Sequence, residues 1–72
     1  NWGRPKEEVD GLMELLVNTL KKEIKTLMDN RVILKTIGET SHLPQDCQDN
    51  LQWAKDTTKN NDGLTLVLAL SY

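Results

Sequence analysis

Phenylalanine is absent from this sequence, and cysteine and histidine occur once each, as Cys47 and His42. A lone thiol excludes a disulfide framework and fits a reducing compartment. One Cys and one His without acidic companions at ligand spacing cannot build a zinc site either. Long apolar runs are also missing. The longest, Leu66 to Leu70, falls far short of the roughly 20 residues that cross a bilayer, so no membrane span is expected. An excess of positive charge is lacking as well. The 9 basic residues are outnumbered by 11 acidic ones and are scattered, which argues against nucleic acid as a partner.

What remains is a chain of 72 residues with room for one domain at most. At this size only about 60% of the unfolded surface is buried on folding, so a core without disulfide or metal is marginal unless something completes it. The chain opens on Asn1 rather than Met, and it closes on Tyr72 at the end of an apolar run. Both ends read as cuts, and residues 1–72 are expected to be a single partial domain, an internal segment of a larger one.

Pro5 supplies a preset φ for a first helical turn, and Glu7, Glu8 and Asp10 place negative charge at its N-terminus. Val9, Leu12, Met13, Leu16, Val17, Leu20, Ile24, Leu27 and Met28 then fall in one arc of roughly 160°, wider than the ~100° of a simple surface helix. Such a helix covers more than one apolar surface. Leu15 lies outside the arc and Glu23 inside it, so Glu23 needs a rim position or a partner. Asp29-Asn30 closes the helix, and the β-branched run Val32 to Ile37, ended by Gly38, predicts a strand.

Leu43-Pro44 and Asp46 mark a second helix, on which Cys47, Leu51, Ala54 and Thr58 form a narrow stripe at helical spacing. Asn60-Asn61-Asp62-Gly63 predicts a turn in which Gly and Asn tolerate positive φ. Leu64 to Ser71 lacks polar alternation and predicts a strand inside a sheet. Helix, strand, helix, strand in this order implies an α/β fold with a parallel sheet, incomplete on its own, and a further strand expected ahead of Asn1.

The opening Asn1-Trp2-Gly3-Arg4-Pro5-Lys6-Glu7-Glu8-Val9 resembles a segment that follows the second sheet strand of cis-prenyltransferases. The resemblance continues through Leu12-Met13, Val32, Ile37-Gly38, Ser41, Leu43, Thr58, Asn61 and Gly63-Leu64-Thr65-Leu66 to Tyr72. It is greatest to the bacterial undecaprenyl diphosphate synthases. It implies condensation of isopentenyl diphosphate onto an allylic, farnesyl-type diphosphate to give a long cis-polyprenyl diphosphate, the lipid carrier precursor for cell-wall synthesis. It further implies Mg2+, held by residues outside this segment, and a homo-oligomer in the cytoplasm, peripheral to the membrane. The segment alone is expected to be inactive. Val67 and Ser71 depart from the family pattern, where asparagines are common, and so does Arg31-Val32-Ile33.

By that resemblance Asn1 matches a catalytic position, Trp2 and Arg4 match substrate-binding positions, and Leu64 matches a tunnel residue. The chemistry of each side chain bears on these roles. A neutral amide hardly binds a proton near neutral pH, so Asn1 is better suited to orienting a diphosphate or a carboxylate than to acting as a base. Arg4 offers a permanent planar charge just ahead of a helix start, which suits either a diphosphate or a solvated surface. Trp2 fits equally as a shield for an allylic cation or as a hydrophobic staple. Leu12, Met13 and Leu16 are candidate walls of a channel for the growing hydrocarbon, with ordinary core as the alternative. His42 and Lys21, Lys22 and Lys25 receive no role, and Trp53, off the second stripe, suits partial exposure or a subunit contact. The rival reading is a stand-alone protein-interaction module derived from this fold.

Overall fold

The structure, a computed structural model, describes residues 6–70, which form α1 (Lys6–Asp29), β1 (Ile33–Ile37), α2 (Gln45–Thr58) and β2 (Thr65–Ala69) in that order. β1 and β2 pair in parallel, with Ile33 opposite Thr65 and Ile37 opposite Ala69. The expected helix-strand-helix-strand order with a parallel sheet is therefore observed. Asn1, Trp2 and Arg4 lie outside the described residues.

α1 starts with Glu7 and Glu8 in its first turn, where the positive end of the helix dipole favours them. Its end is a Schellman turn. The Val32 N–H donates to the Leu27 carbonyl at 2.9 Å and the Arg31 N–H to that of Met28 at 3.1 Å, with Arg31 left-handed at φ 56°. Glycine usually fills that place, since the left-handed conformation costs other residues about 1–2 kcal/mol. Here the Asn30 side chain also donates to the Thr26 carbonyl at 2.8 Å and secures the turn.

Met13, Val17 and Leu20 of α1 are buried together with Leu34, Leu43, Cys47, Leu51, Ala54 and Leu70, while Leu16, Ile24, Leu27 and Leu68 pack around them. Fully burying one Leu or Val side chain contributes about 1.5–3 kcal/mol, so this single cluster supplies the main drive for association of helices and sheet. The α2 stripe of Cys47, Leu51, Ala54 and Thr58 is buried throughout, as its spacing predicts. Both helices lie over one face of the sheet, the side of Leu34, Leu68 and Leu70. On the opposite face Ile37 and Val67 are 58% and 48% exposed. β2 thus has the apolar composition of an interior strand, but β1 is its only neighbour among the described residues.

Thr58 joins the two layers. Its hydroxyl donates to the Ala54 carbonyl at 2.9 Å and accepts the Leu34 N–H at 2.9 Å, and the residue is fully buried. Arg31, Val32 and the turn before β2 are joined as well, by Gly63 N–H to the Arg31 carbonyl at 2.8 Å and by the Asn61 amide to the Val32 carbonyl at 2.8 Å. Gly63 is not the positive-φ residue its turn sequence suggests, because that conformation is taken by Arg31 and Gly38. Glycine is required at 63 for a different reason. A Cβ there would stand 2.5 Å from the Arg31 carbonyl oxygen, an approach no side chain allows. Glu23 is exposed, so it takes the rim position.

Candidate functional site

The C-terminal end of an open parallel sheet is where α/β folds bind ligands, since strand ends, loops and helix N-termini converge there. In this chain β1 passes at that end into Gly38, with φ 101°, and the loop that follows leads directly into α2. α1 ends beside the start of β1, so its own N-terminus returns to the same end. Two helix starts, each an anion-favouring terminus, thus face the end at which the Leu70 N–H donates to the Ile37 carbonyl at 2.8 Å.

The loop after β1 is held from within. Glu39 accepts the Ser41 N–H at 2.9 Å, and this bond, with a further one from the Ser41 hydroxyl, holds its carboxyl below the usual range. Glu39 therefore adds stability above the ordinary carboxylate range, and this is lost as pH falls through its lowered value. Gln48, from the second turn of α2, donates to the carbonyls of Ser41 at 3.1 Å and Leu43 at 2.8 Å, and Leu43 is anchored in the core. Polar clasps and one apolar anchor give the loop a defined course.

The candidate wall residues divide. Met13 is buried in the core and Leu16 packs at its margin, whereas Leu12 is 57% exposed on a solvent-facing flank of α1. Leu15, which falls outside the predicted arc, is 64% exposed and widens that flank. Leu64 is 74% exposed just before β2, at the end of the sheet where α1 terminates. Leu12 and Leu64 therefore stand toward opposite ends of the helix-bearing side. With a rise of 1.5 Å per residue, α1 covers about 24 Å from Leu12 to Met28.

Cys47 carries no site chemistry. Burial raises its thiol pKa, and Asp46, Glu14 and Asp10 raise it further. A thiol held protonated supports folding below its ordinary range, and that contribution is lost as pH rises through the raised value. In the folded full-length protein Cys47 is expected to resist a disulfide reagent at neutral pH and to react promptly once denaturant is added. Equal rates in both conditions would contradict the buried placement. Among the described residues no three of His, Cys, Asp and Glu come together as a candidate metal site. No described helix is long and apolar enough to cross a membrane.

Comparison with known proteins gives this geometry a family. A family model described as "Putative undecaprenyl diphosphate synthase" matches residues 1–72. The chain is 57% identical to an isoprenyl transferase of Clostridium tetani along its whole length, which is 28% of that relative. Its fold matches the crystal structure of lavandulyl diphosphate synthase from Lavandula x intermedia, in complex with dimethylallyl diphosphate, with a TM-score of 0.88 and 32% identity. That match covers all of this chain and 31% of the other. A structure titled "probable undecaprenyl diphosphate synthase" from Campylobacter jejuni matches with a TM-score of 0.85 and 36% identity, over all of this chain and 35% of that one. The sequence match and the α/β architecture together place this chain in the cis-prenyltransferase family, of the undecaprenyl diphosphate synthase type.

Proposed function

We propose that residues 1–72 are one partial domain of a transferase that condenses isopentenyl diphosphate onto an allylic diphosphate, forming a long cis-polyprenyl diphosphate. The observation that carries this reading is the divided apolar surface of α1. One side is sealed into the core by Met13, Val17 and Leu20, and the neighbouring flank leaves Leu12 and Leu15 open. An apolar flank running away from an anion-favouring helix terminus suits a molecule with a charged head and a lengthening hydrocarbon tail.

In this reading Arg4 grips diphosphate oxygens at the entrance, Asn1 orients the reacting groups, and Trp2 faces the allylic unit. Leu12 and Leu16 border the hydrocarbon path, Met13 supports it from the core, and Leu64 stands near its far end. Each methylene buried along that path contributes about 0.8 kcal/mol, so a tunnel holds the tail while the head remains at the entrance. The ligands for Mg2+ are assigned to parts of the enzyme outside these residues, and none of these roles passes through the metal. A whole enzyme of this kind works as a homo-oligomer in the cytoplasm, close to the membrane that uses its product.

Product length tests the reading. In the full-length enzyme Leu64→Trp is expected to shorten the polyprenyl ladder, and Leu64→Ala to lengthen it, with initial rates of the first condensation little changed. Chromatography of dephosphorylated products would measure both. An unchanged ladder in both variants would remove Leu64 from the tunnel.

A further inference from the structure

A groove of about 450 Å³ runs along the side of β1 away from β2, lined by Ile33, Leu34, Lys35, Thr36 and by Gln52, Lys55, Asp56 and Lys59 of α2. The strand pairing fixes which backbone groups face it. The Ile33 N–H donates to the Leu64 carbonyl and the Ile37 carbonyl accepts from Leu70, so the odd residues of β1 turn toward β2. Leu34 and Thr36 therefore direct their N–H and C=O groups outward. The Leu34 N–H is taken by Thr58 and Leu34 as a whole is only 1% exposed, which leaves Thr36 as the open hydrogen-bonding position of the edge.

Charge around the edge is one-sided. Lys55 and Lys59 approach from α2, with the Lys55 ammonium 3.3 Å from the Thr36 hydroxyl, and Lys35 projects from the opposite, open face of the sheet. The only carboxylate in the lining, Asp56, accepts from the Gln52 amide at 3.0 Å. Ammonium groups thus flank the exposed backbone on both faces of the strand, in a chain whose overall charge is negative. Such an arrangement opposes edge-to-edge pairing of two copies, since Lys35 would meet its own kind.

We propose that the outer edge of β1 is a docking edge for an extended acidic segment of a partner protein. The segment adds as a strand, its backbone pairing with Thr36 while its carboxylates meet Lys55 and Lys59 on one face and Lys35 on the other. The backbone pairs fix its direction and register, and the lysines select its charge. This docking edge is independent of the prenyl-transfer reading, because neither the α1 flank nor the C-terminal end of the sheet takes part.

The test uses full-length protein and a fluorescein-labelled peptide in which pairs of glutamates alternate with pairs of valines, so that glutamates occupy both faces of an added strand, followed by fluorescence anisotropy. Binding is expected to weaken about tenfold or more in the Lys55→Glu, Lys59→Glu double variant, with turnover unchanged. Should that variant fail to fold, Lys35→Glu on the open face provides the same reversal. Methylation of alternate peptide amides is expected to abolish binding without altering charge. Absence of binding to the unaltered protein, binding that survives charge reversal, binding that survives amide methylation, or equal affinity for a single-stranded oligonucleotide would each overturn the proposal.

Discussion

Gly63→Val is expected to destabilise the full-length protein by about 3 kcal/mol, at the upper end of what overpacking costs. The clash involves backbone on both sides. A Cβ at position 63 would lie 2.5 Å from the Arg31 oxygen and 3.1 Å from both the Arg31 carbonyl carbon and the Asn30 oxygen. Relief requires the two turns to separate, which stretches the Gly63 N–H bond to the Arg31 carbonyl at 2.8 Å and disturbs the left-handed Arg31 that closes α1. Even Gly63→Ala meets the same atoms, so Ala and Val are expected to fall close together, unlike at a site limited by side-chain volume. Urea unfolding of the three proteins measures this. An Ala variant as stable as the parent would show that the turns separate without strain.

Gly63 also marks a limit of reading the sequence. Asn60-Asn61-Asp62-Gly63 correctly announces a turn, but the need for glycine comes from Arg31, a residue of a different loop. Local turn chemistry carries no information about that approach. Likewise the departure at Arg31-Val32-Ile33 acquires a physical meaning only with the Arg31 φ of 56°, a conformation that glycine and asparagine tolerate better.

Where burial follows one period and one partner layer, the sequence is legible. Cys47, Leu51, Ala54 and Thr58 are all buried because α2 meets the rest of the protein along a single stripe. α1 is legible only in outline. Its wide arc holds both buried and exposed positions, and the division among Leu12, Met13 and Leu16 depends on how the helix is turned toward the core. The groove beside β1 was invisible in the sequence, since Lys35, Lys55 and Lys59 come together only through the crossover from β1 to α2. Several residues that carry the family resemblance, among them Thr58, Asn61 and Gly63, prove to hold backbone together. The resemblance thus includes the framework that sets strand ends in place as well as the positions assigned to chemistry.

Thr58→Val is the second large effect expected, a loss of about 2 kcal/mol despite nearly unchanged volume. Valine fills the same space but offers no oxygen, so the Leu34 N–H, which the Thr58 hydroxyl accepts at 2.9 Å, is left buried without a partner. An orphaned amide costs roughly 1–3 kcal/mol, more than the net gain of an ordinary hydrogen bond, because desolvation is no longer offset. Thr58→Ser retains the oxygen and removes only a methyl group, so it is expected to lose about 1 kcal/mol. The order serine above valine, read from urea midpoints with equal slopes, assigns the effect to the hydroxyl. The reverse order would mean that Thr58 acts through its methyl contact with the core and that water reaches the Leu34 amide.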